Sequence, residues 1–278
     1  MLGVSVILNE HCLFRMAVEF RFSERLNMVH GVHIALLALG LTLGGCGASD
    51  TGVPGNPAEV PPLLPPPSSK TARIMPLGDS ITESAGGQAS YRYYMWQLAL
   101  DRGYKIDFVG SQHGVFDGVP KFQDFDMQHE GHWGWTTDQI LAQIQDWAIH
   151  ASPDFVLIEL GHNDLRNGQD IPGTVKELGQ IIDQLRIVNP RIAIVLAQVS
   201  PTLSGLPQLP AFNAQLPALV AAKHLGTSPV VLVNQFTGFD PVTMTWDGSH
   251  PNALGEAQMA DRWISALTPM LESFFASP

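Results

Sequence analysis

Residues Asp154–Leu160 read DFVLIEL and lead directly into Gly161-His162-Asn163-Asp164. The apolar side chains do not alternate with polar ones, as they would in a strand with one wet face. A short unbroken apolar run of this kind is the signature of a strand buried on both sides of a parallel sheet. Runs of the same character lie on either side, at Arg73–Leu77, Ile106–Gly110, Arg191–Gln198 and Val230–Asn234. Between them the apolar spacing is helical. Tyr91–Asp101 stops at Gly103, and Thr136–His150 carries Ile140, Leu141, Ile144, Trp147 and Ala148. Thr174–Val188 gathers Val175, Leu178, Ile181, Ile182 and Leu185 on one face. Ala211–Leu225 ends at Gly226, and Ala253–Leu271 closes the chain. Strands alternating with helices predict an α/β domain over 71–278. Its expected form is a three-layer α/β/α sandwich around a central five-stranded parallel sheet, joined by right-handed crossovers. Ligands of such sheets bind beyond the carboxyl ends of the strands, where the strand order reverses. The residues just after strands are therefore where chemistry is expected.

Composition narrows the function classes. The chain has 278 residues, 45% of them apolar and 15% charged, enough apolar material for a sizeable core. Lys plus Arg number 15 against 26 Asp plus Glu, a net charge of -11, and no basic cluster occurs. Nucleic acid is therefore not an expected partner. The two cysteines, Cys12 and Cys46, both precede the sandwich. A disulfide framework, a cysteine zinc site and a cysteine nucleophile are excluded for the main body.

The first 70 residues read as an address. Val32–Cys46, VHIALLALGLTLGGC, is too short to span a bilayer and has the length of a signal-peptide apolar region. Leu43-Gly44-Gly45-Cys46 resembles the lipobox of bacterial lipoproteins. That resemblance implies cleavage before Cys46 and lipidation of its thiol, so that residues 1–45 are a signal peptide. Arg15, Arg21 and Arg25 supply a basic n-region; the leader is long, and Met16 and Met28 are alternative starts, Met28 leaving no Lys or Arg before the apolar region. Residues 46–70 are then the lipidated cysteine and a linker, with seven prolines in 54–67. Such a segment favours extended polyproline II and reaches on the order of 45 Å at about 3.1 Å per residue. The expected location is the bacterial cell envelope, with the protein exported and membrane-anchored through Cys46. Gly47 rather than Asp after the cysteine points toward the outer membrane or cell surface.

Three blocks lie where chemistry is expected. They are Gly78-Asp79-Ser80 after the first strand, Gly161-His162-Asn163-Asp164 after the third, and Asp247-Gly-Ser-His250 near the end. Each alone is a common turn or cap pattern, and Ser80 alone reads as a helix cap. Together and in this order they resemble the SGNH, or GDSL, hydrolase superfamily. The resemblance covers roughly 71–270 and implies a flavodoxin-like SGNH hydrolase fold. It makes Ser80 the nucleophile, with Asp247 and His250 completing the catalytic set, and Asn163 an oxyanion donor. The segment His129-Glu-Gly-His132-Trp-Gly134-Trp-Thr-Thr-Asp-Gln139 is similar to one found in carbohydrate esterase family three, as are Tyr91-Arg92 and Asp107–Ser111. It makes Gly134 the oxyanion glycine and departs from the family at Trp133, where Ser is usual.

Elementary chemistry agrees with that assignment. A serine ester hydrolase needs a base for the hydroxyl proton, a group that orients the base, and N–H donors for the oxyanion. His250 would be the base and Asp247 its orienter. The Ser80 and Gly134 N–H groups and the Asn163 amide would be the donors. No cofactor is implied and no metal site is expected, since His129 and His132 lack a third ligand and are read as shaping the Gly134 loop. Asp79 is read as a brace of the turn after the first strand, Asp164 as a holder of its loop, and His162 as a loop or pocket residue. Trp133, Trp135 and Trp246 are read equally as sugar-stacking faces or core filler. The implied activity is removal of acetyl or short acyl groups from a polysaccharide such as xylan, as in acetyl xylan esterases. Other members of the superfamily are lysophospholipases, thioesterases or arylesterases, and a non-catalytic glycan-binding lipoprotein is the third alternative.

Overall fold

The computed structural model describes residues 70–277. The leader, Cys46 and the Pro-rich stretch up to residue 69 lie outside the described residues. Among the described residues no helix is long and apolar enough to cross a membrane.

The chain enters on β1 (Ala72–Gly78), turns through a short α1 (Ser80–Glu83) and forms α2 (Tyr91–Asp101). Three short strands follow, β2 (Ile106–Phe108), β3 (Gln112–His113) and β4 (Gln128–Gly131). Helices α3 (Thr137–Leu141) and α4 (Ile144–Ala151) lead to β5 (Phe155–Glu159), which is continued by α5 (His162–Arg166) and α6 (Ile171–Val188). Strand β6 (Ala193–Gln198) precedes α7 (Leu209–Asn213) and α8 (Leu216–Lys223). Strand β7 (Val230–Asn234), a turn of helix α9 (Pro241–Met244) and the long α10 (Ala253–Ala276) complete the domain.

The sheet order is β3-β4-β1-β5-β6-β7, with β2 also paired to β1. All pairings are parallel except β3 with β4. Every strand expected from the sequence is present. The five-stranded sheet is corrected to seven strands, because β3 and β4 were not expected. Their sequences, QH and QHEG, carry no apolar run, and β4 pairs with β1 only through Leu77↔Glu130 and Gly78↔Gly131. Strands β2 and β4 take successive halves of β1, while β5 pairs with it along Ile74–Gly78. The strand order therefore reverses between β1 and β5. Their carboxyl ends, at Gly78 and Glu159, bound the crevice where a ligand is expected.

The core lies on both sides of this sheet. On one side, Met75 and Leu77 of β1 and Val156 and Ile158 of β5 pack with Ile140, Ile144, Ile181 and Leu185 of the helices. On the other side α2 packs against α10, with Tyr91 and Trp263 both fully buried and their ring centroids 6.1 Å apart. Burial on two faces explains why β5 shows no polar alternation.

Two expected helices are each two. Thr136–His150 breaks after Ala142, where Gln143 N–H bonds the Ile140 carbonyl in a tightened turn. Ile140, Ile144 and Ala148 are all fully buried, so the apolar face continues across the break. Ala211–Leu225 breaks between α7 and α8 because Pro217 has no N–H for the Asn213 carbonyl. That carbonyl instead accepts a 2.9 Å bond from the Gln198 amide. Helix α6 starts before Thr174, capped by Asp170, whose side chain accepts the Gly173 N–H at 2.7 Å. Helix α10 runs on to Ala276 through Pro269.

Candidate active site

The end of β1 sets the site. Gly78 is needed for space: a Cβ there would lie 2.8 Å from the Glu159 carbonyl oxygen of β5 and against the Thr82 side chain. The next residue, Asp79, caps α1 by accepting the Ile81 N–H at 3.0 Å. This confirms its bracing role and puts Ser80 at the first helical position, on the crevice.

The chain's far end meets Ser80. His250 Nε2 lies 2.9 Å from Ser80 Oγ, across 170 positions of sequence. His250 Nδ1 lies 2.7 Å from Asp247 Oδ2. The other Asp247 oxygen accepts the Ser249 and His250 backbone N–H groups at 2.9 and 2.8 Å. Burial pushes the Asp247 carboxyl up, but those N–H groups and the imidazole outweigh it and leave the group below its ordinary value. An ionised Asp247 takes the Nδ1 hydrogen, which leaves Nε2 free to accept from the Ser80 hydroxyl. The loop is closed by Trp246 N–H on the His250 carbonyl at 3.0 Å, and Asn252 caps the α10 that follows.

The segment after β4 forms the opposite wall. His132 N–H bonds the Gly78 carbonyl at 3.0 Å, and Trp133 N–H bonds Glu83 Oε2 at 2.6 Å, tying this loop to both ends of the Ser80 turn. Gly134 is exposed with φ of +79°, a left-handed conformation that favours glycine, and a Cβ there would meet no atom within 4 Å. Asn163, at the end of β5, donates to the Trp135 carbonyl at 2.9 Å and to Asp79 Oδ2 at 3.3 Å. Burial raises the Asp79 carboxyl to about 6, against the lowering effect of the Ile81 N–H. Asp164 accepts the Thr137 N–H at 2.8 Å, so it does hold this loop.

The other singled-out residues fall into place around this core. His132 Nε2 meets Glu130 Oε1 at 2.7 Å, and its ring stacks on Trp135 and on Trp147 at 4.5 and 4.4 Å. His129 Nδ1 accepts the Gly131 N–H at 3.0 Å, and burial drives its pKa well down. Both histidines therefore shape the loop, and among the described residues no three His, Cys, Asp or Glu side chains group to hold a metal. His162 is buried, driven down to about 4 by desolvation, and bonds the Ser200 carbonyl at 2.7 Å through Nε2. Of the tryptophans, Trp133 and Trp246 stack on the His250 ring at 4.5 and 5.4 Å, and Trp246 is 45% exposed.

A small cleft opens at Ser80, bordered by Asn163, His250, Arg166, Thr202 and Ser249 among others. It brings Ser80, His250 and Asn163 to one space, while Asp247 stands behind the imidazole and Gly134 lies on the exposed loop between Trp133 and Trp135. Sequence reasoning missed Glu83, Arg166 and Thr202. It also missed the role of the buried Arg92, which donates to the Thr82, Glu83, Gly114 and Met127 carbonyls and so fixes the Ser80 turn to the β3–β4 region. Glu83 and Trp133 are 50 positions apart and carry no joint pattern.

Comparison with known proteins agrees with this geometry. The profile of the GDSL-like lipase/acylhydrolase family matches residues 77–258. The chain is 26% identical over 227 residues to a "Multidomain esterase" of Ruminococcus flavefaciens, covering 73% of this chain and 29% of that protein. It therefore spans less than a third of that relative's length. Among solved structures it is similar to a family 3 carbohydrate esterase of Clostridium thermocellum, with 33% identity, a TM-score of 0.66, and coverage of 74% of this chain and 100% of that one. It is also similar to an acetyl esterase mutant with an acetate ion, with 27% identity, a TM-score of 0.67, and coverage of 73% and 99%. Residues 77–258 include the Ser80, Asn163 and His250 blocks, the fold is of the SGNH hydrolase type, and the chain belongs to the GDSL-like lipase/acylhydrolase family.

Proposed function

We propose that this chain is a serine esterase that removes acetyl or other short acyl groups from a carbohydrate. The observation that carries the reading is the continuous relay Ser80 Oγ, His250 Nε2, His250 Nδ1, Asp247, with links of 2.9 and 2.7 Å. Ser80 Oγ attacks the ester carbonyl carbon and its proton passes to His250 Nε2. Asp247 holds the imidazole and stabilises the imidazolium. The oxyanion is received by the Ser80 and Gly134 N–H groups and by the Asn163 amide, which exchanges its longer bond to Asp79 for the substrate. His250 then protonates the departing sugar oxygen, the ester C–O bond breaks, and the acyl group remains on Ser80. A water then gives a proton to His250 and attacks the acyl carbon, the acyl–Oγ bond breaks, and His250 returns the proton to Ser80 Oγ as the acid leaves. No cofactor enters this scheme.

The similarity to an acetyl esterase supports a short acyl group, and the similarity to family 3 carbohydrate esterases supports an acetylated polysaccharide. Ser80→Ala and His250→Ala are expected to abolish hydrolysis of p-nitrophenyl acetate and acetate release from acetylated xylan. Full activity in Ser80→Ala would refute the assignment. The lipobox-like segment supports an exported lipoprotein, anchored in the cell envelope through Cys46. Mass spectrometry of membrane-derived protein should find Cys46 as a diacylated first residue; an intact leader with a free thiol is the contrary result.

A further inference from the structure

We propose that Trp133 is a positioning residue for the His250 base. Its indole face fixes the tilt of the imidazole and stabilises the imidazolium formed when Ser80 gives up its proton. The inference rests on the reading of Ser80, His250 and Asp247 as the reacting relay.

The hydrogen bonds of His250 act at its edge. Its ring is held at Nδ1 by Asp247 and at Nε2 by Ser80, at 2.7 and 2.9 Å. These bonds hold the two nitrogens, and the faces of the ring are packed by aromatic side chains. Trp133 lies 4.5 Å from the imidazole centroid at an interplanar angle of 21°, and Trp246 lies 5.4 Å away at 19°.

Trp133 is the better anchored of the two. Its backbone N–H donates to Glu83, three residues beyond Ser80 on α1, at 2.6 Å. Its ring is backed by Phe116 at 4.6 Å and 23°. The short helix that presents the nucleophile thus also tethers the main chain that carries this ring. Trp246 belongs to the His250 loop itself and is 45% exposed, so it brings no anchor from outside that loop.

The same contact favours the charged ring. A cation within about 6 Å of an indole face is stabilised by the ring quadrupole, more strongly where water is excluded. Here the cation exists only after proton transfer, so the contact acts on the transition state more than on bound substrate. It should therefore be read in kcat and not in KM.

The test uses the full chain with p-nitrophenyl acetate and the variants Trp133→Phe, Trp133→Leu and Trp133→Ser. The Leu and Ser variants are expected to lose about tenfold in kcat with KM within about twofold, while Phe, which keeps a flat π face, stays within about threefold of the parent. Covalent labelling of Ser80 by a fluorophosphonate, which needs the same proton transfer but no sugar, should slow in parallel. Thermal melting identifies any variant that is not folded, and comparison of Phe with Leu, both bulky and apolar, keeps the question answerable if Ser is not. Equal kcat in Leu and Phe overturns the proposal. So does a rise in KM at unchanged kcat with unchanged fluorophosphonate labelling, which would make Trp133 a substrate contact. A parent enzyme inactive on every acetyl ester would instead overturn the esterase reading.

Discussion

At the scale of single residues, Asn163 shows how the site is set before any substrate arrives. Its amide donates to the Trp135 carbonyl at 2.9 Å and to Asp79 at 3.3 Å. The shorter bond fixes the side chain, and in the proposed reaction the longer one is the contact given up to the oxyanion. Preorganised donors of this kind act because they need no reorientation in the transition state. Asn163→Ala is therefore expected to lower kcat on p-nitrophenyl acetate by about 10²–10³ with little change in KM. A kcat within a few-fold of the parent would remove Asn163 from the oxyanion site. Asp79 cannot be treated as a spectator in that experiment, since it touches Asn163 as well as capping α1.

At the scale of elements, what the local sequence signals and what the fold needs part company at identifiable atoms. The strand β5 was legible because seven consecutive residues carry its pattern. The strand β4 was not, since its pairing depends on the ends of β1 and on side chains that reach elsewhere. Glu130 accepts from Ser111 N–H at 2.7 Å and meets His132 at 2.7 Å, so a buried carboxylate occupies a position where an apolar residue would have signalled a strand. The break between α7 and α8 was in plain view as Pro217, yet the apolar periodicity across it is continuous. The partner that makes the break tolerable, Gln198, lies on another element. Loop elements around Ser80 follow the same logic. Arg92 ties the carbonyls of residues 82, 83, 114 and 127 together, and its fit depends on all of these segments at once.

At the scale of the whole molecule, the burial that creates the crevice also loads the domain with neutralised acids. Burial lifts Glu159 to about 8, partly offset by the Ser200 N–H, and lifts Glu256 well above its ordinary value. A carboxyl with a raised folded-state pKa binds its proton more tightly folded than unfolded. Its stabilising effect is present at low pH and is lost as pH rises toward the folded value. For Glu159 that window ends at about 8. Between pH 7 and 8 this one group should lower stability by about 1 kcal/mol, the slope flattening as the folded-state pKa is reached. Glu159→Gln, which mimics the protonated acid, is expected to flatten that slope in urea titrations, with Glu256 leaving a residue of it. An unchanged slope would show that Glu159 is ionised throughout. His162, held down to about 4 by burial, works in the opposite sense below its ordinary range, so the comparison belongs above pH 7.

The sequence alone determined the class of fold and the chemical inventory. Unbroken apolar runs demand a sheet covered on both faces, and the Ser80, Asn163 and Asp247–His250 blocks resemble those of the SGNH hydrolase superfamily. Those signals are local, carried by neighbouring residues whose period or spacing survives in one dimension. Only the tertiary structure decided what touches what. The 170-residue approach of His250 to Ser80, the Glu83 tether on Trp133 and the rings stacked on the imidazole all come from packing distant segments around one crevice. Contacts of that kind are set by the shape of the whole sheet and its crossovers, which no single stretch of chain encodes.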